Sequence, residues 1–497
     1  MLTCSPVERI FVMASSRSFV HHEQVDAQYL EQRQLKPKAG WILLWALGVG
    51  AVISGDYGGW NIGLHYAGFY GMLVGVFLMA VMYICMVFTI AELSSALPHA
   101  GGFFSFTRHA FGPLGGFICG LTDTIEYVIT PAVIVYFIGG YMEQLLPQIP
   151  VQLWWCSYYV VFIAINVRGV ELTLKVGLVI TAIAAMVLVI FYTSAIVSGA
   201  FQPELLFVDT DGKTTDGFVD GWRGVLRALP FAIWFYLAIE QLPLAAEESC
   251  DVVRDMPRAL ILGILTLLLL SLFTLVLNSG VGEGAGAIGK SDAPLGDGFK
   301  AVFGDNITST LLIIIALTGL VASFHTIIYA YGRVLFALSR AGYIPRWISV
   351  TGKNHTPVSA LILGGIIGLG CAWMIAWQGG KGIMAAALLN MAVFGAVLSY
   401  AMVMASYIKL HFTHPHLKRP YRSPFGVPGA VVGLLLALLA LLSTFTVTDL
   451  RAAIMGTIVF LCIGIVYFFF YSRHHLVAQA PEEELSLLTE STDTPSH

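Results

Sequence analysis

The chain has 497 residues, of which 57% are hydrophobic and only 11% are charged. Soluble globular proteins carry about 25% charged residues, so this composition excludes an ordinary soluble fold and indicates a polytopic membrane protein. The formal net charge of −4 gives no reason to expect a nucleic-acid partner, and the seven scattered cysteines show neither metal-ligand nor disulfide spacing.

Twelve apolar runs follow one another along the chain, separated by glycine, proline or charged residues. Their lengths suit helices that cross a bilayer, some of them tilted. We therefore predict an all-α polytopic membrane protein with about 12 transmembrane helices. The predicted spans are residues 41–65, 67–96, 113–145, 152–168, 172–199, 225–246, 257–280, 307–339, 357–378, 382–410, 425–447 and 451–472.

Lysine and arginine are unevenly distributed between the two sides of these spans. Placing both termini in the cytoplasm puts most of these residues in cytoplasmic loops, as the positive-inside rule requires. We therefore predict a multi-pass protein of the cell membrane, with cytoplasmic tails at 1–40 and 473–497. The first tail lacks the apolar core of a signal peptide. The loops on the opposite side hold fewer basic residues: Lys213, Arg223, Lys290, Lys300, Lys381 and Arg451.

The first span contains an acid, Asp56, inside a glycine-rich stretch at 53–61. A carboxylate in the middle of a bilayer costs ~2.5–3.5 kcal/mol on insertion scales, so Asp56 should face a partner or a wet cavity. The three glycines loosen the helix, and irregular backbone at this depth is tolerated only where it lines a cavity or is buried in protein. The pattern predicts a mid-membrane site for a positively charged solute.

The sixth span has a similar character, because Glu240 lies in a stretch bracketed by Pro230 and Pro243. Each proline removes a backbone hydrogen bond and weakens the helix. If spans 1–5 and 6–10 are equivalent, the odd number of crossings makes the second copy inverted. Inverted repeats with broken helices 1 and 6 are typical of secondary transporters. The transport core is then 41–410, with halves 41–199 and 225–410, and 411–472 supply two peripheral C-terminal helices.

Several stretches resemble the amino acid–polyamine–organocation (APC) transporter superfamily. They are the turn at 91–103, the opening of the third span at 110–113, Trp234 followed by Glu240, and the exit of the eighth span at 333–345. The resemblance covers spans 1–10. It implies the leucine-transporter-type fold, with the substrate bound between the two broken helices.

Within that superfamily, the stretches 53–61 and 125–132 look most like ethanolamine permeases. In amino-acid carriers the first break is a small loop whose backbone amides receive the substrate carboxylate, which Asp56 would repel. The family's Thr-x-x-Lys pattern in the fifth span is also missing, because Thr181 is followed at that spacing by Ala184. The resemblance implies import of ethanolamine or a related small cation, with a proton as the expected coupling ion and sodium as the alternative.

Three acids lie at membrane depth. At 1.5 Å per residue, Asp56 and Glu126 fall at similar depths, whereas Glu240 lies nearer the cytoplasmic half. We assign Asp56 and Glu126 to the substrate ammonium; the alternatives are a helix cap for Asp56 and a helix–helix hydrogen bond for Glu126. Glu240 could bind substrate, hold the site shut or carry the coupled proton, and a purely structural role is the alternative. Asp123 lies near Glu126 on a helical wheel and is a further candidate.

Aromatic side chains are expected to complete the binding site, since a desolvated cation–π contact adds ~0.5–2 kcal/mol. Trp234 is the first choice, and core packing is the alternative for the others. A hydroxyl on the substrate would need Ser54, Asn61 or freed backbone near Gly55. The remaining aromatic candidates are Tyr236, Tyr127 and Trp60.

Other functional classes fit the sequence less well. A membrane enzyme needs a nucleophile–base pair or metal ligands, and neither pattern is present, so we predict no enzymatic activity, cofactor or metal. ATP drive within the chain would need a Walker-type run, which is missing. A sensor would need a larger soluble domain, and a channel would differ by its flux. Choline, a polyamine or a cationic amino acid remains the alternative substrate.

Overall fold

The computed structural model describes residues 20–209, 211–304, 307–377 and 383–483. Ten helices in this part are long and apolar enough to cross a membrane, and the shorter apolar helices Trp41–Tyr57 and Val151–Val167 bring the spans to the predicted twelve. The helices are α1 (Ala27–Glu31), α2 (Trp41–Val52), α3 (Ser54–Tyr57), α4 (Ile62–Ala96), α5 (Phe103–Leu145), α6 (Val151–Val167), α7 (Val170–Val197), α8 (Gly221–Ala232), α9 (Val252–Phe273), α10 (Ala285–Lys290), α11 (Pro294–Phe303), α12 (Ser309–Arg340), α13 (Val358–Trp377), α14 (Ile383–Thr413), α15 (Gly426–Thr444) and α16 (Arg451–Phe470).

Two of these helices contain a glycine kink that separates a short segment from a span. Gly68 (φ 69°) divides α4 into the end of the first span and the whole second span. Gly112 (φ 76°) divides α5, so that the third span proper begins at Pro113 as predicted. Both φ values lie in the left-handed region, which glycine adopts without steric cost.

The first and sixth spans are both broken, as the sequence predicts. In the first span, α2, α3 and the start of α4 are separate pieces. The sixth span consists of α8, a short 3₁₀ turn at Ile233–Phe235 and a 3₁₀ helix at Ile239–Glu248. The third span (α5) packs on the eighth (α12) and on the tenth (α14), and α2 packs on α7, α9 and α12. The predicted fold class is confirmed.

Burial distinguishes central from outer spans. The most apolar window of the sixth span is 94% buried within the protein, whereas those of α15 and α16 are 33% and 28% buried. The sixth span therefore lies at the centre of the helix bundle, and the last two present most of their surface outward. The broken segment is thus held by protein on nearly all sides, which is the condition for irregular backbone at membrane depth.

Both tails meet on one face of the protein, which we call the tail face. The strand β1 (His22–Glu23) pairs in parallel with β2 (Leu476–Val477), and Ala39 forms a bridge with Ser249 at the end of the sixth span. The helices α10 and α11, which connect the seventh and eighth spans, lie at the opposite face and cover α3 and α4.

Candidate functional site

The two breaks touch each other through glycine. A Cβ on Gly55 would lie 1.9 Å from the carbonyl oxygen of Trp234, so no other residue allows this approach. Gly59 (φ 93°) lies against the Trp234 ring, which a Cβ would meet at 3.1 Å. The glycines of the first span therefore loosen the helix and also admit the backbone and indole of the sixth span.

A small cavity lies beside this contact. Its volume is about 20 Å³, and one water needs roughly 10–15 Å³. The cavity has room for water but is too small for an organic solute, so the site is closed in this conformation. Its lining comes from the first, third, sixth and eighth spans: Ala51, Val52, Ser54, Gly55, Glu126, Tyr127, Thr130, Ile134, Trp234, Leu237, Ala238 and Ile327.

Glu126 is the acid that lines this cavity. Its side chain is buried, and neither carboxyl oxygen receives a hydrogen bond from the described part of the protein. The charged groups that act on it are themselves acids, Glu240 and Asp123. A buried carboxylate with no basic neighbour is costly and is typical of a site that binds a cation or a proton.

Glu240 is the acid that acts most strongly on Glu126. Its Oε1 accepts hydrogen bonds from the Tyr400 hydroxyl (2.5 Å) and from the backbone N–H of Ala238 (2.9 Å). The Tyr83 hydroxyl donates in turn to Tyr400 over 3.1 Å. Two like charges repel at short range, so burying these neighbouring acids together favours a proton on one of them.

The depth argument predicts that Glu240 lies nearer the cytoplasmic half than Glu126, and the structure instead makes the two acids neighbours. The reason is the break itself. Ala238 adopts φ 82°, and the residues before it form a 3₁₀ turn rather than a continuing helix. Counting helical rise from the end of the span therefore misplaces Glu240.

Asp56 faces away from the cavity. It is fully buried, and its Oδ1 accepts a hydrogen bond from the Thr274 hydroxyl over 2.9 Å. Thr274 begins a π-helical turn, Thr274–Asn278, in the seventh span, and also contacts the Tyr192 hydroxyl at 2.6 Å. Asp56 Oδ2 has no donor in the described residues. The structure therefore places the acids Asp56 and Glu126 on different sides of the first break.

Two of the four aromatic candidates line the cavity, and the other two make contacts elsewhere in the breaks. Trp234 and Tyr127 line the cavity together with Ser54 and Gly55. Tyr236 instead directs its hydroxyl at Ser271 Oγ (2.9 Å). The buried Trp60 ring stacks on Phe235, with ring centroids 5.2 Å apart.

Sequence reasoning missed some neighbours of the site. Thr130 lies one helical turn after Glu126, and that spacing is a signal that could have found it. Tyr400 and Ile327 gave no local signal, because they reach the site only through packing of the tenth and eighth spans. Glu92 is held by Tyr407, Arg419 and Ser423, so it stabilises the tail-face end of its helix.

His325 and Ser323 are both fully buried in the eighth span. His325 Nε2 is hydrogen-bonded to the Thr173 carbonyl over 2.8 Å. Ser323 donates to the Gly50 carbonyl (3.0 Å) and accepts from the Ser54 N–H (3.2 Å). These bonds fix the fifth and first spans against the eighth span.

The chain is similar in sequence to known membrane transporters. Residues 40–470 match the family model described as amino acid permease. The chain is 28% identical to an uncharacterised transporter of Rhizobium meliloti, covering 81% of this chain and 85% of that protein. It is 25% identical to a branched-chain amino acid permease of Bacillus subtilis, covering 89% and 95%.

A solved structure, that of a manganese transporter from Eremococcus coleocola, matches with a TM-score of 0.53 at 14% identity, covering 93% of this chain and 98% of that one. This likeness shows the fold alone. Because the family model spans residues 40–470, well over half of the chain, the chain belongs to the amino acid permease family of the APC superfamily.

Proposed function

We propose that the chain is a secondary active transporter that imports ethanolamine or a closely related small organic cation by alternating access. One observation carries the proposal: Glu126 is buried in the cavity between the two breaks, and no protein donor in the described residues satisfies its carboxyl group. A substrate ammonium supplies both the charge and the N–H donors that the site lacks.

The first break supports a substrate without a carboxylate. Ser54 is the first residue of α3, and the backbone N–H groups at the start of a helix can bind an anion. Here the Ser54 N–H already donates to Ser323 Oγ over 3.2 Å. Asp56, two residues later, adds a negative group to the same break. Both features disfavour a bound carboxylate and favour a simple amine.

The site residues have distinct roles in this proposal. Glu126 binds the ammonium, with Trp234 and Tyr127 as cation–π partners, and Ser54 and Gly55 offer polar contacts to a hydroxyl. Asp56, Trp60 and Tyr236 belong to the breaks around the cavity and reach the substrate when the breaks separate. Glu240 carries the coupled proton or gates the site, and sodium is the alternative coupling ion.

Family membership favours a second candidate. The relatives include an amino acid permease, so the same scaffold in this chain can carry another solute: choline, a polyamine or a cationic amino acid. The acids in the site fit the positive group of each of these. An amino acid also brings a carboxylate, which Asp56 repels, so we rank the simple amines first.

A binding titration of the purified protein against ethanolamine, choline, putrescine, lysine and leucine, with and without sodium, tests the proposal. We expect ethanolamine to bind most tightly. Glu126→Gln should weaken its binding at least about tenfold, or ~1.4 kcal/mol. The control Glu171→Gln removes a half-exposed acid of the fifth span and should leave binding unchanged. Binding of amino acids without any effect of ethanolamine would contradict the substrate assignment.

A further inference from the structure

Two consecutive glutamates in the C-terminal tail are fully buried on the tail face. Glu482 and Glu483 are both 0% exposed, although glutamate is almost never fully buried unless it is paired. They lie beyond the last span and far along the chain from the substrate cavity. Their partners show what holds them.

Glu483 is surrounded by donors from three separate segments. Arg108 at the start of α5 pairs with it, with a closest N–O distance of 2.7 Å. The Tyr343 hydroxyl, in the turn after α12, donates to its Oε1 over 2.7 Å. His22 Nε2, in β1, lies 3.2 Å from its Oε2. The carboxylate therefore ties the N-terminal segment, the third span and the eighth span together.

Glu482 shares its partner with the sixth span. Arg340, at the end of α12, contacts Glu482 Oε1 at 2.6 Å. The same guanidinium pairs with Glu247 at the tail-face end of the sixth span, where its Nη1 donates to Oε2 over 2.8 Å. Two turns earlier on α12, Arg333 pairs with Glu248 at 2.6 Å. The sixth and eighth spans are thus closed against each other on this face, with Glu482 at the same junction.

Backbone hydrogen bonds extend the connection. The Val477 N–H donates to the Ala341 carbonyl (3.0 Å), and the Ala478 N–H donates to the Glu23 carbonyl (3.1 Å). The N-terminal segment then reaches the sixth span, where the Ala39 N–H donates to the Glu248 carbonyl over 2.8 Å. The two tails therefore form a continuous series of hydrogen bonds from the eighth span to the sixth.

We propose that residues 476–483 form a C-terminal latch that holds the tail face of the transporter closed. Alternating access moves one group of spans against the other around a fixed site, so opening this face must separate the sixth span from the eighth. The latch crosses that junction and must be released or stretched. The inference goes beyond the proposed substrate and depends only on alternating access.

Cysteine accessibility tests the latch without any substrate. Ala246 in the sixth span is 1% exposed at this face, so Ala246→Cys should react slowly with a water-soluble maleimide while the face is closed. Adding Glu482→Gln and Glu483→Gln should raise the labelling rate roughly tenfold, the population shift given by a lost bias of ~1.4 kcal/mol. Glu31→Gln, which neutralises an exposed acid of the same tail region, is the matched control and should not change the rate.

Equal labelling rates in the latch variant and the control would overturn the proposal. The protein without Ala246→Cys gives the background from its own cysteines, and size-exclusion chromatography in detergent checks folding. If the double variant does not fold, a chain that ends after His475 replaces it and should show the same rise. Loss of folded protein in both variants would show that the segment is a structural support, which also contradicts a releasable latch.

Discussion

Glu126 in the third span and Glu240 in the sixth span are neighbouring acids, both buried in the bundle. The charged groups that act on Glu126 are acids, and Tyr400 supplies a hydroxyl to Glu240. Because two like charges repel, the pair favours holding a proton in this closed conformation. Release and uptake of that proton by the pair would connect substrate binding at Glu126 directly with a proton gradient.

Glu240→Gln tests this connection. Glutamine has the same shape as glutamate but cannot release a proton, so exchange of substrate at equal pH should persist while accumulation driven by a pH gradient is lost. Proteoliposomes loaded with unlabelled substrate measure the first activity, and an imposed pH gradient measures the second. Tyr400→Phe is the control, because it removes a hydrogen bond to Glu240 and keeps the titrating carboxyl. Gradient-driven accumulation in Glu240→Gln would contradict the proton role.

Asp56→Asn should abolish uptake while the folded protein still reaches the membrane. In the proposed function Asp56 reaches the substrate ammonium when the breaks separate. Removing one partner of a buried charge pair costs ~2–5 kcal/mol, which corresponds to a fall in uptake of about 30-fold or more. The change is isosteric, and the asparagine side-chain oxygen can still accept the hydrogen bond from the Thr274 hydroxyl. Uptake in proteoliposomes is compared with that of Asp292→Asn, which alters an exposed acid. Normal uptake would show that Asp56 does not act as a counter-ion.

Gly55→Ala should force the two breaks apart. The new Cβ would lie 1.9 Å from the Trp234 carbonyl oxygen, and overpacking of this kind costs ~1–3 kcal/mol. We expect a lower melting temperature and loss of uptake. Gly370→Ala is the matched control in α13, since no atom lies within 4 Å of its added Cβ. Equal melting temperatures and equal uptake for the two variants would show that the breaks do not need this contact.

Glu483 predicts a specific loss of stability in acid. Burial alone would raise the pKa of this carboxyl, but Arg108 and His22 outweigh burial and lower it from 4.5 to about 2. Because the pKa of Glu483 is lower in the folded protein than in the unfolded chain, its carboxylate stabilises the fold at pH values above the unfolded pKa. This stabilisation should be lost as the pH falls from 4.5 towards 2. The melting temperature should fall more steeply across this pH range for the wild type than for Glu483→Gln. Parallel curves would contradict the prediction.

Much of the architecture followed from composition and pattern. The number of spans, the two breaks and the fold class depend on apolar length, glycine, proline and the cost of buried charge, and these are local properties of the sequence. The same reasoning identified Glu126, Tyr127, Trp234, Ser54 and Gly55, which the structure brings around one cavity.

The tertiary structure alone decided which acids meet. Asp56 and Glu126 lie at similar depths along their helices, yet Asp56 points to Thr274 in the seventh span and Glu126 to Glu240 in the sixth. The direction of a side chain at a break depends on local dihedral angles such as that of Ala238, which helical periodicity cannot supply. The burial of Glu482 and Glu483 was also invisible in the sequence, because their partners come from segments more than a hundred residues away.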